Sequence, residues 1–237
     1  MMTDRQVALV VGVGPRLGLA LVKRFARAGM AVAMAARAKE HLDQLLHKEP
    51  VEGARVYACD ATDQGSVGRL FEEAGKDLGP PEIVVFNAGA FEPGSVLDIA
   101  PADFERCWRV GCFAGFLVGQ AAARRMLAAG RGTIIFTGAT AALRGGASFA
   151  NLAVPKFGLR ALAQTMAREL GPKGIHIGHV IIDGQIRSER YRHLAAGRGP
   201  DALLDPDAIA EAYYHLHTQP RSAWTLELDL RPWVEKF

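Results

Sequence analysis

The sequence predicts a doubly wound α/β fold, a single parallel sheet with helices on both faces. Three observations lead there. Short apolar runs alternate with helix-length stretches along most of the chain, a pattern that parallel strands joined by crossovers satisfy. The first run passes into a Gly-rich turn, Gly12-Val13-Gly14-Pro15-Arg16-Leu17-Gly18, and then into an amphipathic stretch. Finally, 237 residues without a linker, repeat or low-complexity tract suffice for one large core and are few for two, so residues 1–237 are expected to form one domain.

Val7–Val11 reads as the first strand. Leu17, Leu21, Phe25 and Ala28 then recur at helical spacing with Lys23, Arg24 and Arg27 turned away, and Gly29 closes that helix. Ala31–Ala35, Arg55–Ala58 and Ile83–Phe86 follow as strands, each with a helix-length segment before the next. From about Ala102 to Ala129 the fourth helix carries Gly111, Gly115 and Gly119 on one i, i+4 line. A glycine inside a helix costs roughly 1 kcal/mol against alanine, so close approach by a neighbouring helix, the sheet or a second subunit is expected to compensate. Thr133–Phe136 reads as the fifth strand, and Lys156 opens the fifth helix with Pro155 expected in its first turn, where a missing amide is harmless. After a sixth strand at Ile175–Ile182, residues from about 185 to 205 carry Arg187, Arg190, Arg192, His193 and Arg198, which read as a solvated basic loop or as a lid that draws in an anion. Ala223–Leu230 alternates as an edge strand would, with Trp224 buried across a dimer contact in one reading.

Composition bounds the function. Lysine and arginine (28) exceed aspartate and glutamate (25) by three, a mild excess that gives no reason to invoke nucleic acid. Cys59, Cys107 and Cys112 are odd in number and lack metal-ligand spacing, which fits a reduced cytoplasmic compartment and no metal. His176 and His179 fall on opposite faces of a strand, and His215 and His217 diverge on a helix, so neither pair makes a metal site. The polar start, Met1 to Arg5, and the lack of an apolar run of spanning length point away from secretion and from membranes.

The Gly-rich turn is the first pointer to a ligand. Glycines there let backbone amides approach a pyrophosphate, and the helix that follows turns its positive end toward the same anion. A dinucleotide is the ligand implied; an ordinary tight turn is the alternative.

Three elements fall in order behind that turn: Cys59-Asp60-Ala61-Thr62-Asp63 after the third strand, Asn87-Ala88-Gly89 after the fourth, and Lys156 after the fifth. In this order and spacing the chain, from roughly Val7 to Ser188, resembles the short-chain dehydrogenase/reductase family with its Rossmann-type sheet. The resemblance implies a nicotinamide dinucleotide on Gly12, Gly14, Arg16, Leu17 and Gly18, with Asp60 and Ala61 at the adenine, Asn87, Ala88 and Gly89 beside the adenine ribose, and Lys156 on the nicotinamide ribose hydroxyls. It also implies hydride transfer with an unknown small-molecule substrate, and a homodimer or homotetramer through the fourth and fifth helices.

The sequence departs from that family where protons move. The family's tyrosine, four residues before the lysine, falls on Leu152; its serine falls on Ala139 and its asparagine on Gly111. Tyr57, Tyr191, Tyr213 and Tyr214 are the only tyrosines, and none precedes a lysine on the fifth helix. Positioned acid catalysis contributes about 10²- to 10⁴-fold, so the ordinary carbonyl-reductase mechanism is not expected. Thr140, Asn151 and Asp183 are the polar groups that stand nearest as substitutes, and Asp183, in place of the proline usual before Gly184, also reads as a plain turn carboxylate. Two functions stay open: an oxidoreductase with a non-standard site, or a non-catalytic sensor or structural subunit. At the end of the second strand Ala36 stands where a carboxylate would select NAD, and Arg37 beside it suits a 2′-phosphate, so NADP is expected over NAD.

Overall fold

The first strand, β1 (Val7–Val11), is buried along its whole length, as are β4 (Ile83–Phe86) and β6 (Ile175–Ile182). A strand covered on both faces reads as an unbroken apolar run, which is what the sequence shows at β1 and β4, whereas β6 carries the buried His176 and His179 within its run. The computed structural model describes residues 5–199 and 201–235, with Arg190 described by its backbone alone. Met1 to Asp4 and the ends of the 1–237 span therefore lie outside the described residues.

Seven strands form one parallel sheet in the order β3-β2-β1-β4-β5-β6-β7, completed by β2 (Ala31–Ala36), β3 (Ala54–Ala58), β5 (Gly132–Thr137) and β7 (Glu227–Leu230). Helices cover both faces. On one, α3 (Gln64–Leu78), α5 (Ala114–Ala129) and α6 (Ala150–Leu170) bury Phe71, Val118 and Leu159 against Phe86 and Phe136. On the other, α1 (Leu17–Arg27), α2 (Lys39–Lys48) and α8 (Pro206–Thr218) bury Phe25, Leu42 and Tyr213. The strand order reverses between β1 and β4, and it is at the carboxyl ends around such a switch point that ligands of open α/β sheets bind.

The fourth helix is not one helix. It divides into α4 (Pro101–Trp108), a π-helical turn at Arg109–Phe113, and α5. The glycine line does compensate by close approach, and the neighbour is this chain: a Cβ on Gly115 would stand 3.2 Å from the Phe86 ring, and one on Gly119 2.9 Å from Phe136. The subunit version of that expectation is corrected accordingly, because the sheet and α6 occupy the glycine face. Pro155 also differs from expectation. α6 starts at Ala150, with the Leu152 and Ala153 amides already bonded to the Phe149 carbonyl at 2.9 and 2.8 Å, so Pro155 falls in the second turn. It supplies no amide for the Asn151 carbonyl.

The edge strand is shorter than its alternating pattern, Glu227–Leu230 only, and pairs in parallel with β6. Trp224 precedes it and stacks on His176 with ring centroids 4.8 Å apart and planes 2° from parallel, while its indole N–H donates to the Gln219 carbonyl at 3.2 Å. Within the chain, the ring neighbour of this half-buried tryptophan is His176. Residues 185–199 hold a 3-10 turn (Glu189–Tyr191) and a one-turn helix, α7 (Arg192–Ala195), and Ile186 bridges in parallel to Leu204. Among the described residues no helix is long and apolar enough to cross a membrane.

Candidate functional site

At the switch point the turn after β1 is locked into the sheet. The Gly12 and Val13 amides both donate to the Ala35 carbonyl, at 2.8 and 3.1 Å. Gly12 has φ 90°, and a Cβ there would fall 2.7 Å from the Ala88 Cα, so the turn and the Asn87-Ala88-Gly89 segment touch backbone to backbone. Asn87 fastens the contact by donating from Nδ2 to the Gly12 carbonyl at 2.9 Å. Gly18 is equally confined, since its Cβ would stand 2.7 Å from the Val13 Cα. Gly14 differs: nothing lies within 4 Å of a Cβ there. That open space faces the start of α1, where no side chain caps the helix and no acid occupies the first turn. Two glycines thus shape the turn and the third leaves room, and the free amides of α1 favour an anion in that room.

A cavity of about 870 Å³ runs from this turn along the carboxyl ends of β4, β5 and β6. Its lining includes Gly12, Gly14, Arg16, Leu17, Gly18 and Asn87 at one end and Thr140, Leu152, Lys156 and Asp183 at the other. Lys156 is buried, and its ammonium donates to the Thr137 carbonyl at 2.6 Å. Burial pushes its pKa down to about 8. One of its three donors is used in that bond, and the others remain for hydroxyls in the cavity.

Beside it, Asp183 is 2% exposed and held from two sides. Thr140 donates its hydroxyl to the carboxylate at 2.5 Å, and the Arg231 guanidinium stands 3.4 Å from the other oxygen. Leu152 and Ala139 line the same cavity, and their side chains carry no proton donor or acceptor. Gly111 lies elsewhere, beneath α6, where an added Cβ would meet the Pro155 Cβ at 2.9 Å.

A second cavity, about 340 Å³, opens beside β3 and is lined by Arg37, Lys39, Asp60, Ser66 and Arg69 among others. Asp60 accepts from the Thr62 hydroxyl at 2.7 Å and the Thr62 amide at 2.9 Å. Those bonds lower its pKa, the nearby Arg37 and Arg109 charges adding to the effect. Ala61 is buried in the core beneath it.

The fold thus gathers most of the sequence-predicted residues into two neighbouring cavities. Ala61, Ala88 and Gly89 lie outside both linings, and so does Asn151. That side chain is buried and donates to the Glu92 carbonyl at 3.0 Å, fixing the loop after β4. Arg231 was not identified by sequence reasoning, for it stands 48 positions from Asp183 and only the parallel pairing of β7 on β6 unites them. Arg69, brought beside Arg37 from α3, was missed for the same kind of reason, and Lys39, two residues from Arg37, was missed as well.

Comparisons with known proteins agree with this geometry. The family described as short chain dehydrogenase matches residues 6–196. The chain is 32% identical over 186 residues to a 3-oxoacyl-acyl-carrier-protein reductase of Mycobacterium avium, covering 78% of this chain and 69% of the other. It is 29% identical over 210 residues to a 3alpha-hydroxysteroid dehydrogenase of Mediterraneibacter gnavus, covering 87% and 82%. Among solved structures, a short-chain dehydrogenase from Rhodopseudomonas palustris superposes with TM-score 0.84 at 39% identity over 98% of this chain and 100% of that one. A metagenomic short-chain oxidoreductase in complex with NADP superposes with TM-score 0.82 at 26% identity, covering 96% and 97%.

Proposed function

The chain belongs to the short-chain dehydrogenase family, and from that premise we propose that it is an NADP(H)-binding oxidoreductase whose active site is non-standard. The observation that carries the reading is the single crevice with an uncapped helix end and open space at Gly14 at one end and the buried Lys156 ammonium at the other. The room, the free amides and the lysine suit a pyrophosphate and a ribose diol in that order. When bound, the dinucleotide supplies a hydride or accepts one. Gly12 and Gly18 hold the turn, the α1 amides and Arg16 face the pyrophosphate, and Lys156 offers its remaining donors to ribose hydroxyls. Arg37, with Lys39 and Arg69 in the same cavity, favours a 2′-phosphate and hence NADP over NAD.

Leu152 can neither give nor take a proton, and Thr140 spends its own on Asp183, so the Thr140–Asp183 pair presents acceptors to the crevice where the family presents donors. The protein orients and shields a hydride transfer here without a side-chain phenol as acid, and the proton comes from water. The second reading, a non-catalytic NADP-binding sensor or structural subunit, is favoured by the same Leu152 and Ala139. Both readings place the protein in the cytoplasm, as its three free cysteines suit, and as a homo-oligomer through α4–α5 and α6, where Trp108, Phe116, Val154 and Phe157 are 38%, 40%, 46% and 43% exposed.

A crystal structure with NADP tests the reading. The nicotinamide is expected within reach of Lys156, Thr140 and Asp183, and a dinucleotide lying elsewhere would overturn it.

A further inference from the structure

Beyond Lys156 two loops close the cavity: residues 88–98 after β4, and residues 143–149, which lead into α6. They are fastened to one another. Phe91 stacks on Phe149 with ring centroids 4.9 Å apart and planes 29° from parallel. The Gly94 amide donates to the Ser148 carbonyl at 3.1 Å, and Asn151 donates to the Glu92 carbonyl at 3.0 Å. Ser148 itself sits at φ 64°, a left-handed conformation that costs a non-glycine residue on the order of 1–3 kcal/mol and persists where surrounding contacts over-determine it. Those contacts are the cross-loop bonds. They hold the two rings as a preformed wall, each ring 40% exposed and both lining the cavity, with Leu152 continuing the apolar surface toward the cofactor end.

The charges around this wall are unequal. Both carboxylates that line the cavity are already engaged, Asp183 by Thr140 and Arg231, and Glu235 by Arg198 at 3.4 Å. Arg144, four residues beyond Thr140 and on the same lining, has an exposed guanidinium with no acceptor among the described residues. A guanidinium fork takes two oxygens of one anion at once, and a half-exposed aromatic pair gains by covering.

We propose that the substrate of the oxidoreductase proposed above is a flat, apolar molecule bearing one anionic group, its body against Phe91, Phe149 and Leu152 and its anion on Arg144. This rests on the dinucleotide reading for the hydride, while the wall and the arginine recognise the ligand by themselves. A carboxylate and a phosphate share the required chemistry, so both are to be tried.

The test is a fluorescence titration of the full-length protein with 8-anilinonaphthalene-1-sulfonate, with an NADPH titration of the same samples run alongside. One dye per chain is expected, bound tenfold or more weakly by Arg144→Gln and at least threefold more weakly by Phe149→Leu. 1-Naphthoate and 1-naphthyl phosphate should displace the dye, and neutral 1-naphthol should do so at least tenfold less well. Arg144 is exposed, so its replacement leaves the fold intact, which a melting curve verifies; Phe91→Leu serves as a second ring variant if Phe149→Leu melts early. Dye affinity within twofold of wild type in Arg144→Gln, or equal displacement by naphthol, overturns the proposed ligand class. Binding that tracks Arg144 in a protein that takes no NADPH would instead remove the dinucleotide reading and leave the ligand class standing.

Discussion

The β1–α1 turn and the β5–α6 end face each other across one crevice, and the fold constrains their residues in opposite degree. At the turn, Gly12 and Gly18 are required by backbone contacts with Ala88 and Val13, so folding itself enforces them. At the other end, Leu152 and Ala139 line the open cavity. Residues that shape a ligand site through the main chain are tied to stability, whereas residues that move protons are tied only to chemistry and can be replaced without unfolding the site. Gly111 is the exception at that end, because Pro155 occupies the space a side chain there would need.

The sharpest way to break this contrast is at the glycines. Gly12→Ala combines a left-handed φ with a clash against the Ala88 backbone and should destabilise the protein by about 3 kcal/mol or more in denaturant unfolding. Gly14→Ala meets nothing within 4 Å and should unfold within about 1 kcal/mol of wild type while losing tenfold or more in NADPH affinity. A normal midpoint for Gly12→Ala would remove the contrast.

Acid reaches the second region from behind. His179 is buried against Gly138 with no hydrogen-bond partner for either ring nitrogen among the described residues, and burial pushes its pKa down to about 4, Lys156 and Arg160 adding to that and Glu227 opposing it. The unfolded chain binds its proton near pH 6.5, the folded one only near 4, so stability present above pH 6.5 is lost as pH falls through that window, by up to about 3 kcal/mol. Unfolding midpoints measured from pH 7.5 to 4 should show this slope, and His179→Leu should flatten it.

At Gly111 the expected effect is smaller. Gly111→Asn should cost about 1–3 kcal/mol, and adding Pro155→Ala should recover most of it, a coupling that a double-mutant cycle reads directly. Strict additivity would show that the two sites do not share the space. For the chemistry, Leu152→Tyr alone should yield no strong carbonyl reductase, since Ala139 leaves the substrate oxygen without its second donor; robust NADPH-dependent turnover by that single variant would contradict this. Smallest is the cofactor preference: Arg37→Glu should weaken NADPH about tenfold more than NADH, roughly 1.4 kcal/mol of selectivity, and equal losses for both would take Arg37 out of the specificity argument.

Strands β1, β2 and β4 were legible because each is an apolar run bounded by a change of period, and the Gly-rich turn because glycine spacing reports backbone demands directly. The division of the fourth helix was not, since nothing in the run from Arg109 to Phe113 marks a π turn until Pro155 is seen packed on Gly111. Nor could the sequence place Arg231 on Asp183, or show that Asn151 ties loops together instead of facing the cavity, because both facts arise from pairing between segments far apart in the chain. The stack of Trp224 on His176 was not legible either, because it joins the lead-in to β7 with a histidine of β6 48 positions earlier in the chain, the separation that also hides Arg231 from Asp183.

Calorimetric titration of the wild-type protein with NADPH and NADH reaches furthest. The crevice described above predicts one NADPH bound per chain, more tightly than NADH, despite Leu152, Ala139 and Gly111. No heat with either coenzyme up to millimolar concentration would contradict it.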